Sequence, residues 1–384
     1  MTSHWIPKRS ASHNGLLDFS PQSQDGARFD AIMVPTNRPV EYLDGCIDLA
    51  SRTVVPLIVA CSKRVKRQQV VHLAAQRNVE LYAVDVSPQP DNFLDGISFA
   101  TSTDEHLLAF TSGRTRDLST KRNLGLVIAR MCGWQRLMFL DDDIREVSTR
   151  DVDALAAGLE NHRVSVLIPD DYPDNSVVCH AYRLGGGEQG KFAGAGCMGV
   201  RCDRDELSFF PNIYNEDWFF FSEEAANHEI VQVGVSRQRE YDPYADPQRA
   251  AKEEFGDLLA EGLYARLDAQ LDTLSVDAAY WRGFIESRKA FLGQVAKLLA
   301  ARLGDSLNSD EERQVRAAQV SVREARLQLD RINPELCQKF IDLWQADLVE
   351  WRRYLSKLQH SESVERALDD LGLDYVVSPS PRTR

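Results

Sequence analysis

Residues 136–144 read Arg-Leu-Met-Phe-Leu-Asp-Asp-Asp-Ile, a short apolar run that ends in three adjacent carboxylates. The apolar part predicts a buried β-strand, because strands covered on both faces of an α/β sheet are nearly continuous in apolar residues. Ligand sites in such sheets lie outside the carboxyl ends of the strands. Asp141, Asp142 and Asp143 therefore predict a binding site at the edge of a sheet.

Three neighbouring carboxylates repel one another unless a cation lies among them. A hard divalent ion with oxygen ligands, Mg²⁺ or Mn²⁺, relieves this repulsion and also binds a diphosphate. The alternative is an acidic turn that caps the next helix, which accounts for one aspartate better than for three. We therefore expect metal chemistry at residues 141–143.

Similar apolar runs recur from Phe29 to about Val235 and alternate with segments long enough to be crossover helices, such as 63–77 and 119–132. This alternation predicts an α/β nucleotide-binding domain. The predicted strands are Phe29–Val34, Val54–Ala60, Glu80–Val84, Arg136–Leu140, Val164–Ile168, Ala195–Val200 and Ile230–Val235.

After Asp246 the pattern changes to helical spacing, as in Leu259, Leu263, Leu267 and Leu271. Residues 309–312, Ser-Asp-Glu-Glu, have the form of a capping box that opens another helix. These stripes are typical of helix packing faces and predict an all-helical C-terminal domain. A homo-oligomer formed through these helices stays an open alternative.

The predicted organisation has four parts. Residues 1–28 form a flexible N-terminal arm, 29–245 the α/β domain, 246–377 the helical domain and 378–384 a disordered tail.

Composition narrows the class of protein. The net charge of −13 over 384 residues argues against nucleic acid as a partner, since such binding rests on Lys and Arg neutralising phosphates. The seven cysteines form no Cys-x-x-Cys pair and are expected to be free thiols in a reducing cytoplasm. No apolar stretch is long enough to span a bilayer, so a transmembrane segment is not expected.

A second motif, Lys121-Arg122-Asn123, precedes the strand that ends in the acidic run. The combination resembles the GT-A glycosyltransferases, especially the family-2-like group of nucleotide-diphospho-sugar transferases. The resemblance implies a GT-A (Rossmann-like) domain with a mixed sheet, a nucleotide-sugar donor, a hydroxyl-bearing acceptor and a divalent cation (Mn²⁺ or Mg²⁺).

In that family the acidic run is the DxD motif. The resemblance implies Asp143 as the principal metal ligand, Asp141 as its helper and a donor contact, and Asp142 beside the donor with its side chain turned away. It also implies that Lys121, Arg122 and Asn123 open the preceding helix near the diphosphate.

Two further segments extend the resemblance. Pro35 and Thr36 end the first predicted strand and would border the nucleotide, and Arg38 is either a phosphate partner or part of a helix-start turn. Gly194 and Gly196 lie in a Gly-rich strand that lines the acceptor side in similar proteins. Trp218 is either core or an acceptor platform.

The pair Glu216-Asp217 carries the chemistry implied for inverting members, in which the second acid removes the acceptor proton. A sugar hydroxyl is a poor nucleophile, and a carboxylate within hydrogen-bond reach activates it. The alternative is a helix cap, and the two roles are compatible. Asp217, with Glu216, is therefore the catalytic candidate.

Similar proteins often carry a third metal ligand, frequently His, after the strand that corresponds to 230–235. This chain has no His there. Gln238, Glu240 or Asp242 substitutes, or the diphosphate and water complete the coordination.

Two rival functions stay open. A sugar-phosphate nucleotidylyltransferase usually has a Gly-rich loop after its first strand, and residues 35–39 contain no glycine. A catalytically silent binding or scaffold protein does not need Asp141, Asp143 and Asp217 together.

Overall fold

The computed structural model describes residues 12–19, 26–87, 96–111, 117–170, 176–188, 190–273 and 275–378. The strands are β1 Asp18–Phe19, β2 Ala31–Thr36, β3 Leu57–Cys61, β4 Leu81–Asp85, β5 Arg136–Leu140, β6 Ile144–Arg145, β7 Val164–Pro169, β8 Cys197–Arg201, β9 Ile230–Gln238 and β10 Tyr375–Val377. The helices in the first two thirds are α1 Asp44–Thr53, α2 Arg67–Gln76, α3 Ala100–Thr103, α4 Glu105–Thr111, α5 Asp117–Cys132, α6 Thr149–Gly158, α7 Val177–Leu184, α8 Glu216–Phe220 and α9 Ser222–Ala226, with a 3-10 turn at Val40–Leu43. The remaining helices are α10 Gln248–Asp268, α11 Ala278–Arg302, α12 Ser309–Leu329, α13 Pro334–Lys357 and α14 Val364–Asp370.

One mixed sheet organises the chain, in the order β1-β9-β7-β8-β5-β2-β3-β4-β10, with β6 paired to β9. The pairs among β2, β3, β4 and β5 are parallel, whereas β8 is antiparallel to both β5 and β7. The predicted mixed α/β architecture is confirmed, and all seven predicted strands are present within a few residues of their expected bounds.

Side chains alternate between the two faces of the sheet, as the pleat of a strand requires. On β2, Ile32 and Val34 pack into a core with α1, α2 and α6. Ala31 and Met33 face the opposite core, which contains α5 and the helices α10 to α14. Because both faces are covered, the strands read as continuous apolar runs.

The predicted helical C-terminal region is confirmed, and its apolar stripes have an intramolecular explanation. Leu259, Leu263 and Leu267 of α10 are buried in the same core as β2 and β5. The region is not helical to its end, because Tyr375–Val377 forms β10 and pairs antiparallel with β4. The sheet and the C-terminal helices therefore share one core.

The structure differs from the sequence prediction near both chain termini. The expected arm 1–28 contains the buried residues Leu16 and Leu17, followed by β1, which pairs with β9. Ser378, expected in the disordered tail, is buried, and its backbone N–H donates to the carbonyl of Leu81 at 2.9 Å. Residues 1–11, 20–25 and 379–384 lie outside the described part of the chain.

Two helix boundaries also differ. Asn308, not Ser309, caps α12, since its side chain accepts from the backbone N–H of Glu311 while the Glu311 carboxylate accepts from that of Asn308. Leu271 lies beyond α10, which ends where Gln270 adopts a left-handed conformation with φ of 56°. The helical stripe therefore stops one repeat earlier than its spacing predicts.

None of the helices in the described ranges is long and apolar enough to cross a membrane. The seven cysteines, all within these ranges, are free thiols, and six of them are buried.

Candidate active site

The three aspartates form a turn at the carboxyl end of β5. The backbone N–H of Ile144 donates to the carbonyl of Asp141 at 3.1 Å, and the N–H of Arg239 donates to that of Asp143 at 2.8 Å. Strand β5 ends at Leu140, and with it the regular alternation of side chains between the two faces of the sheet. The directions of the three carboxylates are therefore set by the turn.

Asp142 faces the end of β2 and is buried. Its carboxylate accepts from the Thr36 hydroxyl at 2.6 Å and forms an ion pair with Arg38. The second Nη of Arg38 lies 3.0 Å from Asp143 Oδ2. The expectation that Asp142 turns away is therefore wrong, because the turn directs its side chain to the same guanidinium that Asp143 contacts.

Arg122 binds Asp141, the first aspartate of the turn. Its Nη2 lies 2.9 Å from both carboxylate oxygens of Asp141, and its Nη1 lies 2.7 Å from Glu216 Oε1. Burial, with added repulsion from Asp143 and Asp142, raises the pKa of Asp141 to about 7 although Arg122 lies beside it. The Arg122 guanidinium therefore does not offset the cost of burying the Asp141 carboxylate.

Asp217 follows Glu216 at the start of α8 and is fixed by backbone donors. Its Oδ2 accepts from the N–H of Ala195 at 2.9 Å, and its Oδ1 accepts from that of Trp218 at 3.0 Å. Burial and the neighbouring Glu216 raise the pKa of Asp217 well above the usual range of a carboxyl. A carboxylate with a raised pKa suits proton abstraction near neutral pH.

Gly194 and Gly196 allow close approach to these acids. A Cβ on Gly194 would lie 3.2 Å from Asp217 Oδ2, and one on Gly196 would lie 3.3 Å from Ile144 Cδ1 and 3.7 Å from Asp141 Oδ2. The structure thus places both glycines directly against the acidic groups.

Trp218 does not line an open surface. It is 7% exposed, and its ring stacks on Phe192 at 5.1 Å and packs against His13 and Tyr264. The core alternative for Trp218 therefore applies, because the N-terminal segment covers the ring. Sequence periodicity gave no signal for the contact with His13.

Lys121 and Asn123 have structural partners instead of lying open to a diphosphate. The Lys121 ammonium donates to the carbonyl of Thr36 at 2.7 Å and to Ser62 Oγ at 2.8 Å, and it pairs with Asp117. The Asn123 amide exchanges two hydrogen bonds with the backbone of Phe210. Both residues lie inside α5, not at its start, so the prediction that they open the helix is wrong.

A basic cleft adjoins the acidic turn and was missed by sequence reasoning, apart from Arg38. It has a volume of about 390 Å³ and is lined by Arg38, Lys63, Arg64 and Tyr42, with Asn37 and Pro39. The guanidinium carbons of Arg239 and Arg38 lie 4.2 Å and 5.3 Å from the centre of the Tyr42 ring. In the sequence, the basic pair Lys63-Arg64 just after β3 was the feature that could have indicated this cleft. Pro35 itself is buried within β2.

No three acidic, His or Cys side chains among the described residues converge as a complete metal cage. An amide oxygen provides a further hard ligand. Gln238 is 7% exposed, and its Oε1 has no hydrogen-bond partner within the described chain. Gln238 pairs with Ile144 across β6 and β9, so both side chains project from the same face, where Ile144 lies against Gly196 beside Asp141.

Glu240 and Asp242, the other candidate ligands, are both exposed. The residues present therefore offer a divalent cation only a few protein oxygens, and its coordination would be completed by water or a ligand, as is usual for Mg²⁺.

No protein-family model and no curated protein matches the chain. Among solved structures, the chain is similar to glucosyl-3-phosphoglycerate synthase from Mycobacterium tuberculosis in two complexes, each with 14% identity, 64% of this chain covered and a TM-score of 0.37. The first complex holds Mn²⁺, UDP-glucose and glycerol 3-phosphate, and the match covers 88% of that chain. The second holds Mn²⁺, UDP-glucose and phosphoglyceric acid, and the match covers 87%.

Proposed function

We propose that the chain is a glycosyltransferase that moves a sugar from a nucleotide-diphospho-sugar to a hydroxyl acceptor. The observation that carries this proposal is the meeting, at one edge of the sheet, of the acidic turn 141–143, the pair Glu216-Asp217 and the basic cleft. The acidic turn can bind a metal ion with a diphosphate. The pair Glu216-Asp217 can act in acid–base catalysis, and the basic cleft can bind an anion.

The nucleotide diphosphate is assigned to the basic cleft. Arg38, Lys63 and Arg64 line it without a carboxylate among its lining residues, and they offer guanidinium and ammonium donors to phosphate oxygens. Arg38 joins this cleft to the acidic turn through Asp142 and Asp143. The diphosphate then lies between the cleft and the turn.

The charge balance of the site supports a divalent cation. Five carboxylates, those of residues 141–143, 216 and 217, share the guanidinium groups of Arg38 and Arg122. Bringing a diphosphate to this edge without a further cation adds repulsion to an already negative site.

We assign Mn²⁺ or Mg²⁺ to Asp143 and Asp141, with Gln238 Oε1 as the third protein oxygen. When bound, the ion neutralises the diphosphate as it leaves. Gln238 is favoured over the exposed Glu240 and Asp242, because its amide oxygen has no partner within the described chain and its side chain shares a face with Ile144.

Asp217 is proposed as the general base of an inverting reaction. Its two backbone donors fix the carboxylate, and Arg122 holds the adjacent Glu216, so the base keeps one orientation. The carboxylate takes the acceptor hydroxyl proton as the hydroxyl oxygen attacks the anomeric carbon and the nucleoside diphosphate departs. The product then has the anomeric configuration opposite to that of the donor.

Nucleotide-sugar hydrolysis with and without Mn²⁺ tests the proposal directly. We expect slow release of UDP or GDP from UDP-glucose or GDP-mannose, abolished by a chelator and restored by Mn²⁺. Calorimetry with UDP and GDP measures donor binding under the same conditions. Absence of binding and hydrolysis for both nucleotides would favour the silent binding protein, and formation of a nucleotide-sugar from a sugar phosphate would favour the nucleotidylyltransferase.

A further inference from the structure

A second cleft lies on the other side of the segment that follows β9. It has a volume of about 620 Å³, within the range of small-molecule sites. Its walls come from the loop after β9, from α7 and from α12. The polar side chains that line it are those of His180, Arg183, Glu240, Tyr241, Asp242 and Gln314, among others.

Short backbone and side-chain links join this cleft to the acidic turn. The N–H of Arg239 bonds to the carbonyl of Asp143, and the next residue, Glu240, already lines the cleft. The Arg239 guanidinium covers Tyr42 of the basic cleft at 4.2 Å. The two clefts therefore flank one stretch of backbone, with the acidic turn bonded to it.

Helix α10 links the cleft to the proposed base as well. Arg249 donates to the Tyr241 hydroxyl at 3.1 Å, and Asp257 accepts from Asn215, the residue before Glu216, at 3.0 Å. Arg249 and Asp257 are eight positions apart, which is about 12 Å along the helix axis. The Tyr241 wall of the cleft and Asn215, which precedes Glu216, therefore contact nearby turns of the same helix.

The charges of the cleft differ from those of the basic cleft. Glu240 and Asp242 supply two carboxylates against the one guanidinium of Arg183. Burial lowers the pKa of His180 to about 3, and the nearby Arg183 and Arg249 add to this, so the imidazole is neutral. A phosphorylated ligand gains little here, whereas hydroxyl groups find both donors and acceptors.

Three kinds of polar group are available to such hydroxyls. The carboxylates accept hydrogen bonds, the Arg183 guanidinium donates them, and the exposed Gln314 amide does both. The ring of Tyr241 adds an aromatic wall that suits the C–H face of a sugar. Tyr241 is held in place because its oxygen contacts His180 Nε2 at 3.3 Å and Arg249 at 3.1 Å.

From this arrangement we propose that the second cleft is the acceptor site and that the acceptor is an uncharged carbohydrate of more than one sugar unit. The inference rests on the proposed glycosyltransferase function and names the acceptor class for that reaction. The two clefts then sort the substrates by charge, with the phosphorylated donor on the basic side.

Saturation-transfer NMR on the whole chain, with UDP and Mn²⁺ present, tests the inference without needing turnover. The probes are maltotriose, glucose and glycerol 3-phosphate. We expect transfer to maltotriose, weaker transfer to glucose and none to glycerol 3-phosphate. Gln314→Trp fills the cleft from an exposed position on α12 and should reduce the maltotriose signal at least about fivefold, the order expected for losing a few contacts.

Val320→Trp is the matched control, because Val320 lies on α12, is 48% exposed and does not line the cleft. A maltotriose signal equal in the two variants overturns the location, and a glycerol 3-phosphate signal that Gln314→Trp abolishes overturns the uncharged class. Calorimetry with UDP separates the failures. If UDP and GDP do not bind, the proposed function fails and this inference with it, whereas UDP binding without any sugar signal overturns this inference alone.

Discussion

Arg122 Nη1 lies 2.7 Å from Glu216 Oε1, and both side chains are at least 96% buried. Removing one partner of a buried pair leaves the other charge without compensation. We therefore expect Arg122→Met to lower the free energy of unfolding by about 3–5 kcal/mol. Urea denaturation followed by circular dichroism measures this change.

Arg130 provides the control on the same helix, α5. It pairs with Asp205, whose side chain is 88% exposed, so Arg130→Met should cost no more than about 1 kcal/mol. Equal losses in the free energy of unfolding for the two variants would contradict the expectation that the buried pair contributes more to stability than the exposed one.

Arg38 should affect cation and nucleotide binding in opposite directions. It neutralises Asp142 and Asp143, so Arg38→Met should tighten Mn²⁺ binding by about tenfold while weakening UDP binding. Paramagnetic resonance measures free Mn²⁺, and calorimetry measures UDP. Lys63→Met is the control, since Lys63 lines the basic cleft without contacting the acidic turn, and it should weaken UDP binding alone. Unchanged Mn²⁺ affinity in Arg38→Met would show that Arg38 does not compete with the cation for these aspartates.

Asp217→Asn should keep the fold and UDP binding and lower turnover roughly 100- to 10,000-fold, because the amide cannot take the proton. The pH profile gives a second test. A general base must be ionised, and burial raises the pKa of Asp217, so kcat/KM should fall on acidification at a higher pH than the ordinary aspartate value of about 3.9 implies. An acid limb that persists unchanged in the residual activity of the variant would assign it to another group. A product with the donor's anomeric configuration, observed by NMR, would exclude simple inversion.

Gly194→Ala should disturb the position of the Asp217 carboxylate, since the new Cβ would lie 3.2 Å from Oδ2. A displacement of a few tenths of an ångström should lower kcat by roughly tenfold with little change in stability. Gly293→Ala on α11 meets no atom within 4 Å and should stabilise the helix by about 0.5–1 kcal/mol without altering kcat. Equal kcat values for both variants and the native chain would show that the Gly194 contact is not limiting.

Deleting residues from Asp246 onward should give insoluble protein. Helices α10 to α14 share a core with β2, β5 and α5, so their removal exposes apolar side chains such as Phe219, which packs against Phe340 and Trp344 of α13. Solubility after expression and sedimentation velocity measure the outcome. A soluble truncation that still binds UDP would show that the helical region is an independent domain.

The hydrophobic pattern predicted the sheet well, because its strands are buried on both faces and therefore appear in the sequence as short, nearly continuous apolar runs. The position of residues 141–143 at the edge of the sheet followed from the strand end, whereas Glu216 and Asp217 were singled out by the resemblance to the GT-A glycosyltransferases. The partners of these acids were not predictable, because Arg38 meets Asp142 and Arg122 meets Glu216 across long sequence separations. Lys121 and Asn123 were misassigned for a related reason. Helical position alone does not show whether a side chain faces a ligand or the backbone of another segment.

The order in which the sheet closes has a consequence for folding. Ser378 Oγ accepts from the N–H of Leu81, 297 positions earlier, and β10 occupies the outer edge of β4. A ribosome therefore completes β2 to β5 long before the strand that covers β4 has been made. Contacts of such high sequence separation form late, and an uncovered edge strand can pair with other chains. We expect docking of β10 to be among the slowest steps of folding, and nascent chains to be most prone to edge-to-edge association until it occurs.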